Sequence, residues 1–212
     1  MPIQNTMPHK VTNSIQFTGV ILCGGTGSRL GGRNKAFLRL GSQCFLDRLL
    51  ETLNPLVEDV LLVARDPAPF SGLGIKTVTD IYSARCALTG IHAGLTHCHT
   101  THAFITACDA PLLRSTLVRG LMQQTDPETD AVVPEYNGYL EPLCAIYSRR
   151  CLPSVQSQLD QGVHRIHKLY PLINTQKVGK DFLLGLDPDL TSFVNVNTEQ
   201  DLRELETRQG VG

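Results

Sequence analysis

The sequence predicts an α/β fold of three layers, a mostly parallel sheet with helices on both faces. Three observations carry that expectation. Short β-branched apolar runs alternate with segments of helical apolar spacing along the whole chain, as in successive strand–helix–strand units. The runs are apolar at consecutive positions, the pattern of strands covered on both faces. The first run breaks at once into glycine, and in open α/β sheets ligands bind at the carboxyl ends of the strands.

The first strand is Thr18 to Cys23, reading Thr-Gly-Val-Ile-Leu-Cys. After a glycine-rich loop, Ser42 is the candidate N-cap of a helix on which Phe45, Leu46, Leu49, Leu50 and Leu53 recur at helical spacing until Asn54-Pro55 stops it. Val60 to Ala64 is a second strand, and Ile75 to Val78 a weaker third that ends at Thr79-Asp80. Leu88, Ile91 and Leu95 mark a helix face. Phe104 to Cys108 is the next buried strand, closed by Asp109-Ala110-Pro111, and Leu117, Val118, Leu121 and Met122 line the following helix. Ala131 to Pro134 and Leu143 to Tyr147 read as strands, and Leu152, Val155 and Leu159 line a helix that Gly162 ends. A last strand is expected over Phe193 to Val196, then a helix starting at Thr198 with Asp201 as its capping-box partner.

Composition narrows the class. The 212 residues, 42% hydrophobic and 18% charged, suit one globular domain, expected over 17–212 behind a loose polar tail at 1–16. Nineteen Lys+Arg against 20 Asp+Glu leave a net charge of -1, so neither nucleic acid nor an anionic membrane is expected as a partner. No apolar stretch approaches the roughly 18 to 20 residues that span a bilayer, and the start of the chain lacks the apolar core of a signal peptide. The seven cysteines are odd in number and lack a C-x-x-C pair, which suggests reduced thiols in a cytoplasm, several of them acting as small core residues.

From Leu22 to Lys35 the chain carries five glycines and three cations, Arg29, Arg33 and Lys35. Glycine allows close backbone approach, so successive N–H groups can converge on an anion while the cations add local charge. A polyphosphate suits this chemistry. The dinucleotide fingerprint fails because its third glycine falls on Leu30, and the P-loop spacing fails because Lys35 lies between Asn34 and Ala36. Asp109, just past a strand end, would point into the crevice and suits one Mg²⁺, which takes few carboxylates and completes its shell with water and phosphate oxygens. Capping the helix behind Pro111 is the alternative. Asp80 has the same placement. Asn195 and Asn197 alternate with Val194 and Val196, so both amides face one side, where they would orient phosphate oxygens or metal-bound water or else serve a turn. His97, Cys98, His99 and His102 match no zinc spacing and read as a polar connection.

In order along the chain, these segments resemble the molybdenum cofactor guanylyltransferase (MobA) family of nucleotidyltransferases. Leu22-Cys23-Gly24-Gly25 with Arg29, Gly31 and Lys35 is similar to the family's loop. Asp80 is similar to its acid after the third strand, Cys108-Asp109-Ala110-Pro111 to its metal-binding C-D-x-P, Glu141-Pro142-Leu143 to its E-P-L, and Phe193 to Thr198 to its F-V-N-V-N-T. The likeness runs from about Thr18 to Arg208. It departs at Asn34, usually an acid, and at Cys86-Ala87-Leu88-Thr89-Gly90, which stands for G-P-L-x-G.

The resemblance implies a Rossmann-like nucleotidyltransferase fold and transfer of GMP from GTP to the terminal phosphate of molybdopterin, with release of pyrophosphate. Lys35, Arg29 and Asp109 are the implied catalytic residues, and Asp109 the implied ligand of Mg²⁺. Leu22, Cys23, Gly24, Gly25, Lys35, Asp80, Asp109, Asn195 and Asn197 are the implied nucleotide-binding residues. GTP and molybdopterin are the implied partners, with other proteins of molybdenum cofactor biosynthesis, and Arg165 resembles a family arginine near the acceptor. Relatives that transfer CMP resemble L-A-A-G at the loop start; Gly24 lacks that methyl group and leaves room for a purine. A relative that uses CTP or a sugar-phosphate acceptor is the alternative enzyme, and a nucleotide-binding module without catalysis the alternative of another class.

Overall fold

A computed structural model of the chain describes residues 15–24 and 33–210. Apart from Ile15 and Gln16, the tail expected over 1–16 lies outside the described residues. The first apolar run forms β1 (Phe17–Leu22), buried throughout, with Ile21 facing one apolar cluster and Val20 and Leu22 another. Next, β2 (Arg39–Leu40) and β3 (Gln43–Cys44) pair antiparallel around Gly41, whose φ of 63° suits a residue without a Cβ. This hairpin corrects the expected helix start. Ser42 lies in its turn, and α1 (Phe45–Leu53) is capped by Cys44, whose Sγ accepts from the Asp47 N–H at 3.4 Å.

The chain continues through β4 (Asp59–Val63), β5 (Lys76–Val78), α2 (Ala87–His97), β6 (His102–Ala107) and α3 (Ser115–Gln123). It then forms β7 (Ala131–Tyr136), β8 (Tyr139–Leu140), β9 (Cys144–Ser148) and α4 (Leu152–Asp160), beyond which Gly162 turns at φ 70°. The last elements are β10 (Thr175–Gly179), α5 (Lys180–Leu186) and α6 (Glu199–Gln209), the last with the expected capping box of Thr198 and Asp201. Sequence patterning misses β10 because it is an edge strand with only Val178 buried, so no apolar run marks it.

Strand order is β10-β7-β9-β6-β1-β4-β5, with β8 on β7. Pairing is parallel among β6, β1, β4 and β5 and between β10 and β7. Only β9 runs against its neighbours within that path. The reversal starts at Asn137-Gly138, where φ values of 51° and 79° make the two-residue turn that asparagine and glycine favour. On one face of the sheet, Leu46 and Leu49 of α1, Leu117 and Leu121 of α3 and Leu183 of α5 join the core. On the other, Leu88, Ile91 and Leu95 of α2 and Val155 and Leu159 of α4 do so. The three layers are therefore real. A third cluster seats Leu202 and Leu205 of α6 on Leu38, Leu40, Phe45 and Val196. No helix among the described residues is long and apolar enough to cross a membrane.

The expected strand over Phe193 to Val196 does not form. Thr191–Phe193 is a 3-10 turn, and the extended chain after it makes one bond to the strand region, from the Val196 N–H to the Asp109 carbonyl at 2.8 Å. No ladder can grow there, because β6 is already paired on both edges, to β1 and to β9. The alternation nevertheless persists. Val196 is buried, while Asn195 and Asn197 are exposed.

Candidate functional site

Four parallel strands bring their carboxyl ends to one rim, where Leu22 lies beside both Val63 and Ala107 and Val63 beside Val78. The ladder runs one step further. The Cys23 N–H donates to the Val63 carbonyl at 2.8 Å and the Cys108 N–H to the Leu22 carbonyl at 3.1 Å, so Gly24 and Asp109 leave the sheet side by side. Gly24 is exposed, and no other described residue lies within 4 Å of where its Cβ would stand. Beneath it, hydrogen bonding to Cys108 and burial push the Cys23 thiol well up, so Cys23 stays protonated and is no nucleophile.

Lys35 reaches this rim from the far end of the loop. Its Nζ donates at 2.7 Å to Asp109 Oδ2 and at 2.7 Å to Asn197 Oδ1. Residues distant in sequence thus meet at one point: a cation, a carboxylate and an amide. Asn34 explains why Lys35 starts a turn here. Its Oδ1 accepts from the Ala36 N–H at 3.1 Å and caps the 3-10 turn Lys35–Phe37. A capping aspartate would do the same, so the departure at Asn34 changes charge and not shape.

Two devices hold the 193–198 segment in place. Asp201 Oδ2 accepts from the N–H groups of Asn197 at 2.8 Å and Thr198 at 2.9 Å. These bonds, Asn197's foremost, hold the Asp201 carboxyl below the usual carboxylate range, and the Lys35 charge adds to the effect. Further back, fully buried Asp187 accepts from the Ser192 N–H at 2.7 Å and pairs with Arg114 Nε at 3.1 Å. It anchors a turn in which Leu190 is held at φ 51°, a strained value for a bulky residue. No sequence signal marks Asp187, since a lone aspartate before proline reads as an ordinary loop residue.

Asp80 stands apart from this cluster, past the end of β5. Its Oδ2 accepts from the Thr89 hydroxyl at 3.1 Å, and it helps to line an open depression of about 420 Å³ with Arg65, Thr79, Ile81, Tyr82 and Ser83. Tyr82 donates to Asp160 at 3.0 Å and meets the His92 ring edge-on, which pins this loop to α4 and α2. Arg65 carries no signal in the sequence because a single polar residue beside an apolar run has no spacing, and Thr89 falls on the unspecified position of the segment that stands for G-P-L-x-G. Gly90 has a packing role. A Cβ there would come 3.1 Å from Leu22 Cδ1, so the glycine lets α2 lie close on β1.

Not every expected residue joins the site. Gly25 and Arg29 lie outside the described residues. Arg33 pairs with Glu199 at the start of α6. Arg165 is exposed at the turn Ile166–Lys168. Three of the four residues named in the His97 to His102 connection point to different partners. Cys98 donates to the Leu95 and Thr100 carbonyls, the His99 ring meets Asp59 at 2.9 Å, and the buried His102 ring meets the Thr101 hydroxyl. Among the described residues no three His, Cys, Asp or Glu side chains gather as a metal site. The oxygens of Asp109 and Asn197 on one rim are hard donors with a single carboxylate, which fits Mg²⁺ better than a transition metal.

Residues 19–176 match the profile of the MobA-like NTP transferase domain family. A molybdenum cofactor guanylyltransferase of Desulfosudis oleivorans is 39% identical over 189 residues, covering 89% of this chain and 94% of its own length. A probable molybdenum cofactor guanylyltransferase of Pelotomaculum thermopropionicum is 31% identical over 188 residues, covering 89% and 91%. Among solved structures, the molybdopterin-guanine dinucleotide biosynthesis protein A of Archaeoglobus fulgidus superposes with a TM-score of 0.79 at 25% identity, over 91% of this chain and 98% of that one.

Proposed function

The chain belongs to the family of MobA-like NTP transferases, and from that premise we propose that it transfers GMP from GTP to the terminal phosphate of molybdopterin. The observation that carries the reading is the meeting of Lys35, Asp109 and Asn197 beside Gly24. An oxygen of the acceptor phosphate attacks the α-phosphorus of GTP. One P–O bond forms, the bond to the β-phosphate breaks, and pyrophosphate leaves with the electron pair. A phosphate oxygen is nucleophile enough once aligned, so the protein supplies position and charge and no covalent intermediate.

Asp109 and Asn197 would hold a magnesium ion, which would supply charge neutralisation for phosphate oxygens. Lys35 exchanges its two side-chain partners for the triphosphate, with Arg29 and the loop N–H groups of Leu22 to Gly25 beside it. Asn195, exposed on the same segment, orients phosphate oxygens, and Asp80 contacts the nucleoside over its depression. The missing methyl group at Gly24 favours the larger purine base. We further propose the cytoplasm as the compartment, where GTP is at hand, and proteins of molybdenum cofactor biosynthesis as neighbours. The test is pyrophosphate release from GTP, CTP, ATP and UTP with molybdopterin and magnesium. Release from GTP together with the guanine dinucleotide is expected; release from CTP instead would overturn the choice of base, and release from none would overturn the reaction.

A further inference from the structure

The carboxylates described above each have a donor: Lys35 for Asp109, Thr89 for Asp80, backbone N–H groups for Asp201 and Arg114 for Asp187. Glu141 does not. It is half-buried, and among the described residues its carboxylate meets neither a hydrogen-bond donor nor a cation. Burial alone pushes its carboxyl above the usual range.

Strand register places it. Phe104 of β6 lies opposite Ile146 of β9, and Ile146 opposite Val132 of β7. Two residues on, Thr106 is level with Pro134, whose carbonyl accepts from the Glu141 N–H at 2.9 Å. Glu141 therefore stands at the rim, close to the height of Asp109 and on the opposite side of it from Asp80. Tyr136, at the end of β7, packs against Phe193 with ring centroids 5.2 Å apart, which joins this wall to the segment bearing Asn195 and Asn197. Burial and then the Glu141 charge push the Tyr136 phenol up. A second anchor lies below: Tyr147 donates to the Pro142 carbonyl at 3.0 Å and fixes the backbone next to Glu141.

A carboxylate held without a donor fits a ligand that brings donors. A 2-amino-4-oxo ring presents a ring N–H and an NH₂ side by side, matched to the two oxygens of a carboxylate. Guanine and pterin both carry that edge, but the depression assigned to the nucleoside lies across Asp109. We propose that Glu141 reads the pterin of the acceptor through this pair of hydrogen bonds. The inference rests on the proposed reaction for the identity of the acceptor.

Glu141→Gln keeps the shape and turns an NH₂ against the ligand's donors. Neopterin monophosphate, followed by its fluorescence, is expected to bind the variant at least tenfold more weakly than wild type, and the KM for molybdopterin is expected to rise as much. Magnesium–GTP affinity by calorimetry and the unfolding curve stay as in wild type. Glu135→Gln, on β7 and paired with Lys177, leaves every reading unchanged. Pterin affinity equal in wild type and Glu141→Gln overturns the proposal, as does an equal loss for GTP, which would make Glu141 a guanine contact. A ligand-side arm needs no variant: neopterin monophosphate dimethylated on its 2-amino group should bind wild type at least tenfold more weakly, and equal binding overturns the proposal. Glu141-dependent pterin binding without dinucleotide formation would sink the reaction and leave the pterin site standing. Dinucleotide formation by Glu141→Gln at the wild-type KM would do the reverse.

Discussion

Lys35 and Asp109 neutralise each other at the mouth of the crevice, so either can turn to a ligand at the cost of one partly buried ion pair. The Asp109 side chain stands at the rim and not in the packed core. Asp109→Ala is expected to keep the unfolding midpoint near wild type while turnover falls by about a hundred- to a thousandfold, the usual loss of one preorganised charge. Steady-state pyrophosphate release with magnesium checks it, and near-wild-type turnover removes Asp109 from the mechanism. Gly24→Ala separates the base from the scaffold. Its methyl group would meet no other described residue within 4 Å, so stability is expected to hold, while the kcat/KM for GTP should fall more than that for CTP. Equal losses for the two nucleotides contradict the steric account. Both residues were legible in the sequence, because each follows an apolar strand that stops abruptly.

The elements behind the site were legible where a run of apolar residues marks them and hidden where a polar contact does the work. The pattern exposed β1, β4 and β6 because their consecutive apolar residues are covered on both faces. It missed β10, whose single buried residue makes no run, and it took the 193–196 segment for a strand because alternation alone does not show that a neighbouring edge is occupied. The β7–β8 hairpin is signalled by Asn137-Gly138, a turn that the pattern of apolar runs does not register. At this scale Gly94 and Asp187 are the telling positions. A Cβ at Gly94 would stand 2.7 Å from Val20 Cγ1, in a core without room to give. Gly94→Ala gains about 1 kcal/mol of helix propensity but overpacks α2 on β1, typically costing about 1–3 kcal/mol. Urea denaturation is expected to show net destabilisation, and a gain in stability would contradict the close packing. Asp187→Ala removes a buried acceptor from Ser192 and Arg114; charged hydrogen bonds are worth about 1.5–3 kcal/mol each. A loss of at least about 3 kcal/mol is expected, with a rise in the KM for GTP as Asn195 and Asn197 lose their anchor; a change in neither would free that turn from any role in positioning.

For the molecule as a whole, pH acts on stability through the buried imidazoles. Burial holds His92 and His102 below the usual histidine range. The unfolded chain then takes up protons at these positions before the folded one does. Stability is therefore full above the unfolded histidine value of about 6.5 and is lost as pH falls through it toward the lowered folded values. Urea midpoints should drop from pH 7.5 to pH 5.5, and less so in His102→Gln; a midpoint flat across that window contradicts the assignment. At the same scale, the family membership and the three-layer sheet agree with the sequence, since five short segments keep their order along the chain. Their convergence was not readable, because Lys35, Asp109 and Asn197 meet only through the register of β1 with β6 and the single bond from Val196 to Asp109. The most direct test of that convergence is calorimetric titration of GTP, with and without magnesium, into wild type and Asp109→Ala. Magnesium should tighten GTP binding to wild type and make little difference to the variant. Absence of GTP binding to wild type in magnesium, or the same magnesium effect in both proteins, would contradict the account.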